Sequence, residues 1–124
     1  MERMEAGVKK DMATKWVEAL RSGEYEQGIN ALKNGNKYCC LGVLCEISGI
    51  SRFISGYYLG ESTCLSSPVM LECGIRHPLG VPCDGADVHI HINGVRYDSL
   101  MSANDNGAPF SEIADWIETN YEKL

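Results

Sequence analysis

His89 and His91, one residue apart, are the first candidates for chemistry in this chain. Alternate side chains on a strand share a face, so an H-x-H pair presents two imidazoles side by side. That spacing suits two metal ligands or an acid–base pair. A two-histidine phosphodiesterase needs a second such motif with Ser or Thr at its third position, and the sequence holds one H-x-H. Val88, Ile90 and Ile92 alternate with the histidines, and Asn93-Gly94 then predicts a two-residue hairpin turn. In that register His91 faces Arg96 and His89 faces Asp98. Exposed cross-strand pairing accounts for both imidazoles without a ligand.

Six cysteines are the second candidates. A nucleophilic thiol needs an exposed, electropositive setting, and none of the six has an obvious one. Cys39, Cys40 and Cys45 lie in the apolar run Tyr38–Cys45, where a free thiol behaves as a small buried hydrophobe. Cys40, Cys45 and Cys73 read as core thiols, while Cys64 and Cys83 fall in loops. Neighbouring Cys39 and Cys40 are poorly placed to pair, and Met1–Glu5 lacks the apolar core of a signal peptide, so all six read as thiols. The gaps 40–45, 45–64, 64–73 and 73–83 match no zinc knuckle or ribbon, and no metal or cofactor is expected.

Asn104-Asp105-Asn106-Gly107 is polar enough to invite a calcium or substrate reading. It lacks the alternating ligands and closing Glu of an EF-hand loop, and a helix C-cap with local Asx bonds explains it equally well. The remaining candidates make one ligand surface: Arg52, Tyr57, Tyr58, Arg76, His77, His89, His91 and Arg96. Arg offers bidentate phosphate contacts and Tyr a stacking plane for a base.

The elements that must position these groups follow from periodicity. Val8, Met12, Trp16, Val17 and Leu20 predict a helix over 8–21, ended by Ser22-Gly23. Asn34-Gly35 predicts a small hairpin between 28–33 and 36–40. Cys40–Ser48 reads as a helix, with Gly42 inside it. A mid-helix glycine costs about 1 kcal/mol against alanine, so Gly42 implies close approach by another backbone. Residues 50–66 show no clean period and read as a loop or edge-strand insertion. Ser67-Pro68 opens a short helix that Gly74 ends, and 75–87 is a loop. Ser99 caps a short helix at 100–104, and Phe110, Ile113, Ala114, Ile117, Tyr121 and Leu124 predict a last helix over 109–123. The class is α+β: residues 1–124 as one domain with two terminal amphipathic helices, short central helices and a small antiparallel sheet built from hairpins.

Composition bounds the rest. Hydrophobic residues at 44% and charged residues at 23% are globular values that exclude wholesale disorder. No apolar run is long enough to span a membrane. The net charge of −6 divides into +1 over residues 1–40 and −7 over 41–124, so duplex nucleic acid, which needs a basic face, is not an expected partner. No G-x-G-x-x-G or P-loop spacing appears.

Three segments resemble one family. Lys15–Tyr25 with Gln27-Gly28 fits W-x-x-A-L-R-S-G-x-Y-x-Q-G, Cys39–Cys45 fits C-C-L-G-V-L-C, and Asn104–Glu118 fits N-D-x-G-x-x-F-x-E-I-A-x-x-I-E. Together they resemble the widespread, functionally uncharacterised small proteins encoded by tailed phages and prophages, with 50–87 as a variable middle. The resemblance implies a phage accessory protein in the host bacterial cytoplasm and transfers no chemistry. Small phage proteins of that kind often counter host defences. The expectation is therefore a non-enzymatic protein that binds a small anionic ligand, such as a signalling nucleotide. The alternatives are an acidic protein–protein inhibitor of a host protein, acting through Glu112, Asp115 and Glu118, and a small hydrolase using His89 and His91. Two amphipathic helices on a short chain also make a homo-oligomer an open expectation.

Overall fold

Helix α1, Lys10–Ser22, is formed by the predicted stripe. In the computed structural model of the protein Met12, Ala13, Trp16, Val17 and Leu20 are buried, while Lys10, Lys15 and Glu18 face solvent. The structure describes residues 8–29, 32–34, 36–48, 53–54, 57–58, 67–77, 79–82 and 89–124. The helix starts two residues later than the periodicity suggests. Val8 is buried ahead of it, and the Val8 and Lys9 N–H groups donate to the carbonyls of Tyr121 (3.2 Å) and Cys73 (3.0 Å). Those bonds extend the chain before the first turn, and Val8 still joins the same core.

Helix α2, Cys40–Ser48, has the predicted bounds. Cys40, Leu41, Gly42, Val43 and Leu44 are all buried, the all-round burial of a central helix. Three two-residue strands precede it: β1, Glu26–Gln27, β2, Lys33–Asn34, and β3, Lys37–Tyr38. The pairing β2–β3 is the expected hairpin, but Asn34 sits opposite Lys37, so the connecting residues are 35–36 and not Asn34-Gly35. Strand β1 adds a parallel pairing to β3, giving the order β1-β3-β2. Two-residue strands carry no period, which is why this parallel edge is invisible in the sequence.

Strands β4, Phe53–Ile54, and β5, Tyr57–Tyr58, pair antiparallel within the predicted insertion. Helix α3 is Ser67–Cys73. Strands β6, Ile90–Ile92, and β7, Val95–Tyr97, hold the predicted register, with Ile90 opposite Tyr97, His91 opposite Arg96 and Ile92 opposite Val95. Asn93 and Gly94 both take positive φ, 54° and 77°, as the two-residue turn requires. Helix α4, Leu100–Asp105, is capped by Ser99, whose Oγ accepts from the Ser102 N–H at 3.0 Å.

Helix α5, Phe110–Asn120, buries Phe110, Ile113, Ala114 and Ile117 and packs chiefly on α1. The predicted last turn tightens into a 3-10 turn over Tyr121–Lys123 and ends with Leu124 fully buried. Helices α1, α2 and α5 therefore form the core, with the small hairpins at its margins: an α+β fold. Among the described residues no helix is long and apolar enough to cross a membrane.

Candidate functional site

The polar motif Asn104-Asp105 turns inward. Asn104 is fully buried, and its Oδ1 accepts from the Cys40 N–H (3.1 Å) at the start of α2 and from Gln27 Nε2 (2.9 Å). Its Nδ2 donates to the Gly28 carbonyl (2.8 Å) and to Asp105 Oδ1 (3.2 Å). Gln27 completes the cluster: Nε2 also donates to the Ala108 carbonyl (2.7 Å), and Oε1 accepts from the Phe110 N–H (3.2 Å) at the start of α5. One amide pair thus satisfies the orphan first N–H groups of two helices and fastens β1 to both. The helix-capping reading of this motif holds at Asn106, the C-cap of α4, whose Nδ2 donates to the Ser102 carbonyl at 2.8 Å; Asn104 has a second role, capping α2.

The other motif residues serve the same interior. Trp16 is fully buried and its Nε1 donates to the Cys40 carbonyl at 2.9 Å. Arg21 donates to Asp115 (2.6 Å) and Glu118 (2.9 Å), joining α1 to α5 across their exposed edge. Its guanidinium pKa is raised, first by Glu118 and then by Asp115. Glu112 accepts from Asn93 Nδ2 of the β6–β7 turn. The three carboxylates expected to make an acidic docking face are therefore each engaged within the chain. Reversing their charge would loosen the α1–α5 contact as well as change the surface.

The thiols are core groups. Cys39, Cys40 and Cys73 are buried and Cys45 is half-buried, while Cys64 and Cys83 lie outside the described residues. Burial pushes Cys39 up from the ordinary 9.0 to about 11, Cys45 and Cys73 to about 12, and Cys40 well above 9.0. Because the thiolate is the nucleophile, we expect iodoacetamide at pH 8 to leave these four unlabelled in the native protein and to label them on unfolding. The stability consequence has a definite sign. Unfolded thiols ionise near 9.0 while the folded ones keep their protons to about 11 or 12, so this contribution is intact below pH 9 and is lost as pH rises toward 12. Rapid native labelling by mass spectrometry, or a melting temperature unchanged between pH 8 and 11, would contradict the assignment.

The predicted ligand residues come from separate elements of the fold. Arg52 lies outside the described residues, and Tyr57 and Tyr58 are described only as strand backbone in β5. The Arg76 N–H donates to the Leu124 carbonyl (2.7 Å) and its Nη2 to the Glu122 carbonyl (3.2 Å), clasping the C-terminal turn. His77 Nδ1 accepts from the Leu79 N–H at 3.1 Å and its carbonyl from the Gly80 N–H at 3.0 Å, so it shapes its own loop. The Arg76 role depends on partners 46–48 residues away, which sequence spacing does not encode.

The hairpin face does assemble. His89 Nε2 lies 3.6 Å from Asp98 Oδ1, and His91 and Arg96, both exposed, are direct cross-strand partners. Side chains so paired stand about 5 Å apart at Cβ, close enough for one phosphate to touch both. Beside His91 the hairpin and α5 form an open groove of about 320 Å³, lined among others by Asn93, Glu112, Asp115, Trp116 and Asn120. Trp116 is half-buried and packs against the edge of the core. The signal for the groove is the row Glu112, Trp116, Asn120 at fourfold spacing on α5. Among the described residues no cluster of three or more His, Cys, Asp or Glu could hold a metal ion.

Residues 8–52 match the model of a family described as a domain of unknown function, DUF8296. The matched stretch runs from the entry of α1 past the end of α2, and leaves out β6, β7, α4 and α5. Neither a curated protein nor a solved structure is similar to the chain at a significant level.

Proposed function

We propose that this chain is a phage-encoded accessory protein that counters a host defence by binding a small anionic ligand, such as a signalling nucleotide, in the host bacterial cytoplasm. The binding face is the outer side of the β6–β7 hairpin. The observation that carries this reading is the register of His91 against Arg96, which sets a permanent cation and an ionisable imidazole side by side in solvent. The phage context comes from the resemblance of the three motifs. The roles of those motifs in capping, packing and clamping support a reading in which they maintain the fold and the hairpin does the recognising.

The test is titration calorimetry against a panel of cyclic and ADP-ribose-type nucleotides, with the ligand recovered afterwards. Loss of one charge-assisted contact costs about 1.5–3 kcal/mol, so Arg96→Ala is expected to weaken binding roughly tenfold to a hundredfold. His91→Ala should act in the same direction, and the recovered ligand should be intact. Absence of heat across the panel, or binding indifferent to both substitutions, would remove the reading. Ligand recovered cleaved, with cleavage abolished in a His89→Ala, His91→Ala double variant, would replace it with a hydrolase.

A further inference from the structure

The groove next to His91 has a chemistry of its own, and it does not suit a second anion. Two carboxylates border it, and each is half engaged. Asn93 Nδ2 donates to Glu112 Oε1, and Arg21 holds Asp115 Oδ1 at 2.6 Å. The other oxygen of each carboxylate makes no bond among the described residues. A carboxylate is acceptor-only when ionised, so two acceptors held in place by their own donors call for a ligand rich in hydroxyl or amine hydrogens. Half-buried Trp116 lines the same groove, as do the polar Asn93 and Asn120, so an aromatic surface and acceptor groups share one site. About 320 Å³ falls at the lower end of small-molecule clefts and accommodates one stacked ring with an attached sugar. The pair His91 and Arg96 begins where the groove ends, because His91 lines the groove and is also Arg96's cross-strand partner.

From this juxtaposition we infer that the ligand is a ribonucleotide bound in two parts: nucleoside in the groove between β6 and α5, with the base on Trp116 and the ribose diol on Glu112 and Asp115, and phosphate outside it on His91 and Arg96. The inference rests on the anion-binding reading proposed above and specifies the ligand's other half. A purely anionic ligand would meet the carboxylates of the groove unfavourably. A purely neutral one would leave the Arg96 guanidinium unused. Only a molecule with a donor-rich end and a phosphate end answers both.

Trp116 reports on this directly, since the other tryptophan, Trp16, is fully buried and serves as an internal reference. The probes are the four common ribonucleoside diphosphates, their 2′,3′-dideoxy counterparts and inorganic pyrophosphate, titrated against the full chain. At least one ribonucleoside diphosphate is expected to quench tryptophan emission in the wild type and to leave the emission of Trp116→Phe unchanged. Its dideoxy counterpart should bind at least tenfold more weakly. Glu112→Gln, which keeps an acceptor for Asn93, should shrink that difference severalfold without changing the melting temperature. Pyrophosphate should bind in an Arg96-dependent way with no quench. If nucleotides and pyrophosphate bind alike through Arg96, with no Trp116 quench and no diol preference, the two-part site is wrong and the anion face stands. If no probe binds, both are wrong.

Discussion

Replacing Gly42 with alanine is expected to destabilise the protein by about 3 kcal/mol or more, and to do so although alanine is the better helix former. A Cβ built on Gly42 falls 1.8 Å from the Leu32 carbonyl oxygen and 2.7 Å from its carbon. Neither atom is the end of a flexible side chain. The same oxygen accepts the Cys39 N–H at 3.1 Å, so moving it breaks the bond that leads β3 into α2. Leu32 itself is fully buried, which blocks retreat on the other side. Helix propensity alone predicts a gain of about 1 kcal/mol for Gly42→Ala, and steric overlap predicts a loss several times larger. Urea unfolding decides by sign: a variant as stable as the wild type, or more stable, would show that Leu32 and α2 are not in contact in this way.

Removing the Asn104 side chain should cost still more. In Asn104→Ala the buried Cys40 N–H and the part-buried Gly28 carbonyl lose partners, and Gln27 loses one of its two acceptors. A stranded buried group costs about 1–3 kcal/mol, and the emptied site of a fully buried side chain adds to that, so a total of about 4 kcal/mol is expected, a large share of the roughly 5–15 kcal/mol that holds a typical native state. Asn104→Asp separates the two halves of the role. It keeps an acceptor for the Cys40 N–H, loses the donor to Gly28, and sets a carboxylate beside Asp105. That variant should be nearly as damaged at pH 7 and should recover part of its stability as the pH falls and the new carboxyl takes a proton. Thermal unfolding of the pair measures this. A melting temperature for Asn104→Ala within about two or three degrees of wild type would mean that the cluster is not the junction of α2, α5 and β1.

These two sites mark the limits of what can be read from the chain. Local pattern is enough for the β6–β7 register, because alternation over five residues and an Asn-Gly turn leave one pairing that keeps Ile90 and Ile92 inside. It is enough for the bounds of α2, and for the crowding at Gly42, since a residue that weakens a buried helix points to a neighbour too close for a side chain. It fails for Asn104, whose partners Gln27, Gly28 and Cys40 are 64–77 residues away. A side-chain amide carries no mark of where its bonds will go. The candidate site divides along the same line. His91 and Arg96 are legible as neighbours because a turn joins them. Arg76 and His77 are not legible in the same way, because no turn joins them to the hairpin and the bonds they make are to the C-terminal turn and their own loop.

The motif residues that make this chain distinctive are thus largely structural: Trp16 and Gln27 brace α2 and α5, Gly42 admits the β2–β3 hairpin, and Asn104 ties the ends together. Such a framework holds the β6–β7 hairpin against α5 while leaving its outer face to the solvent. Recognition on the proposed account is a property of that face, and the framework supplies rigidity to it.

Native mass spectrometry tests the proposal most directly. The wild type and an Arg96→Ala variant would each be incubated with the small-molecule filtrate of bacteria whose nucleotide-signalling defence has been triggered, then measured before and after denaturation. The account predicts a mass excess on the wild type, in the range of a nucleotide, that disappears on denaturation and is absent or much reduced on Arg96→Ala. A clean apo mass for the wild type, or the same excess on both proteins, would contradict it.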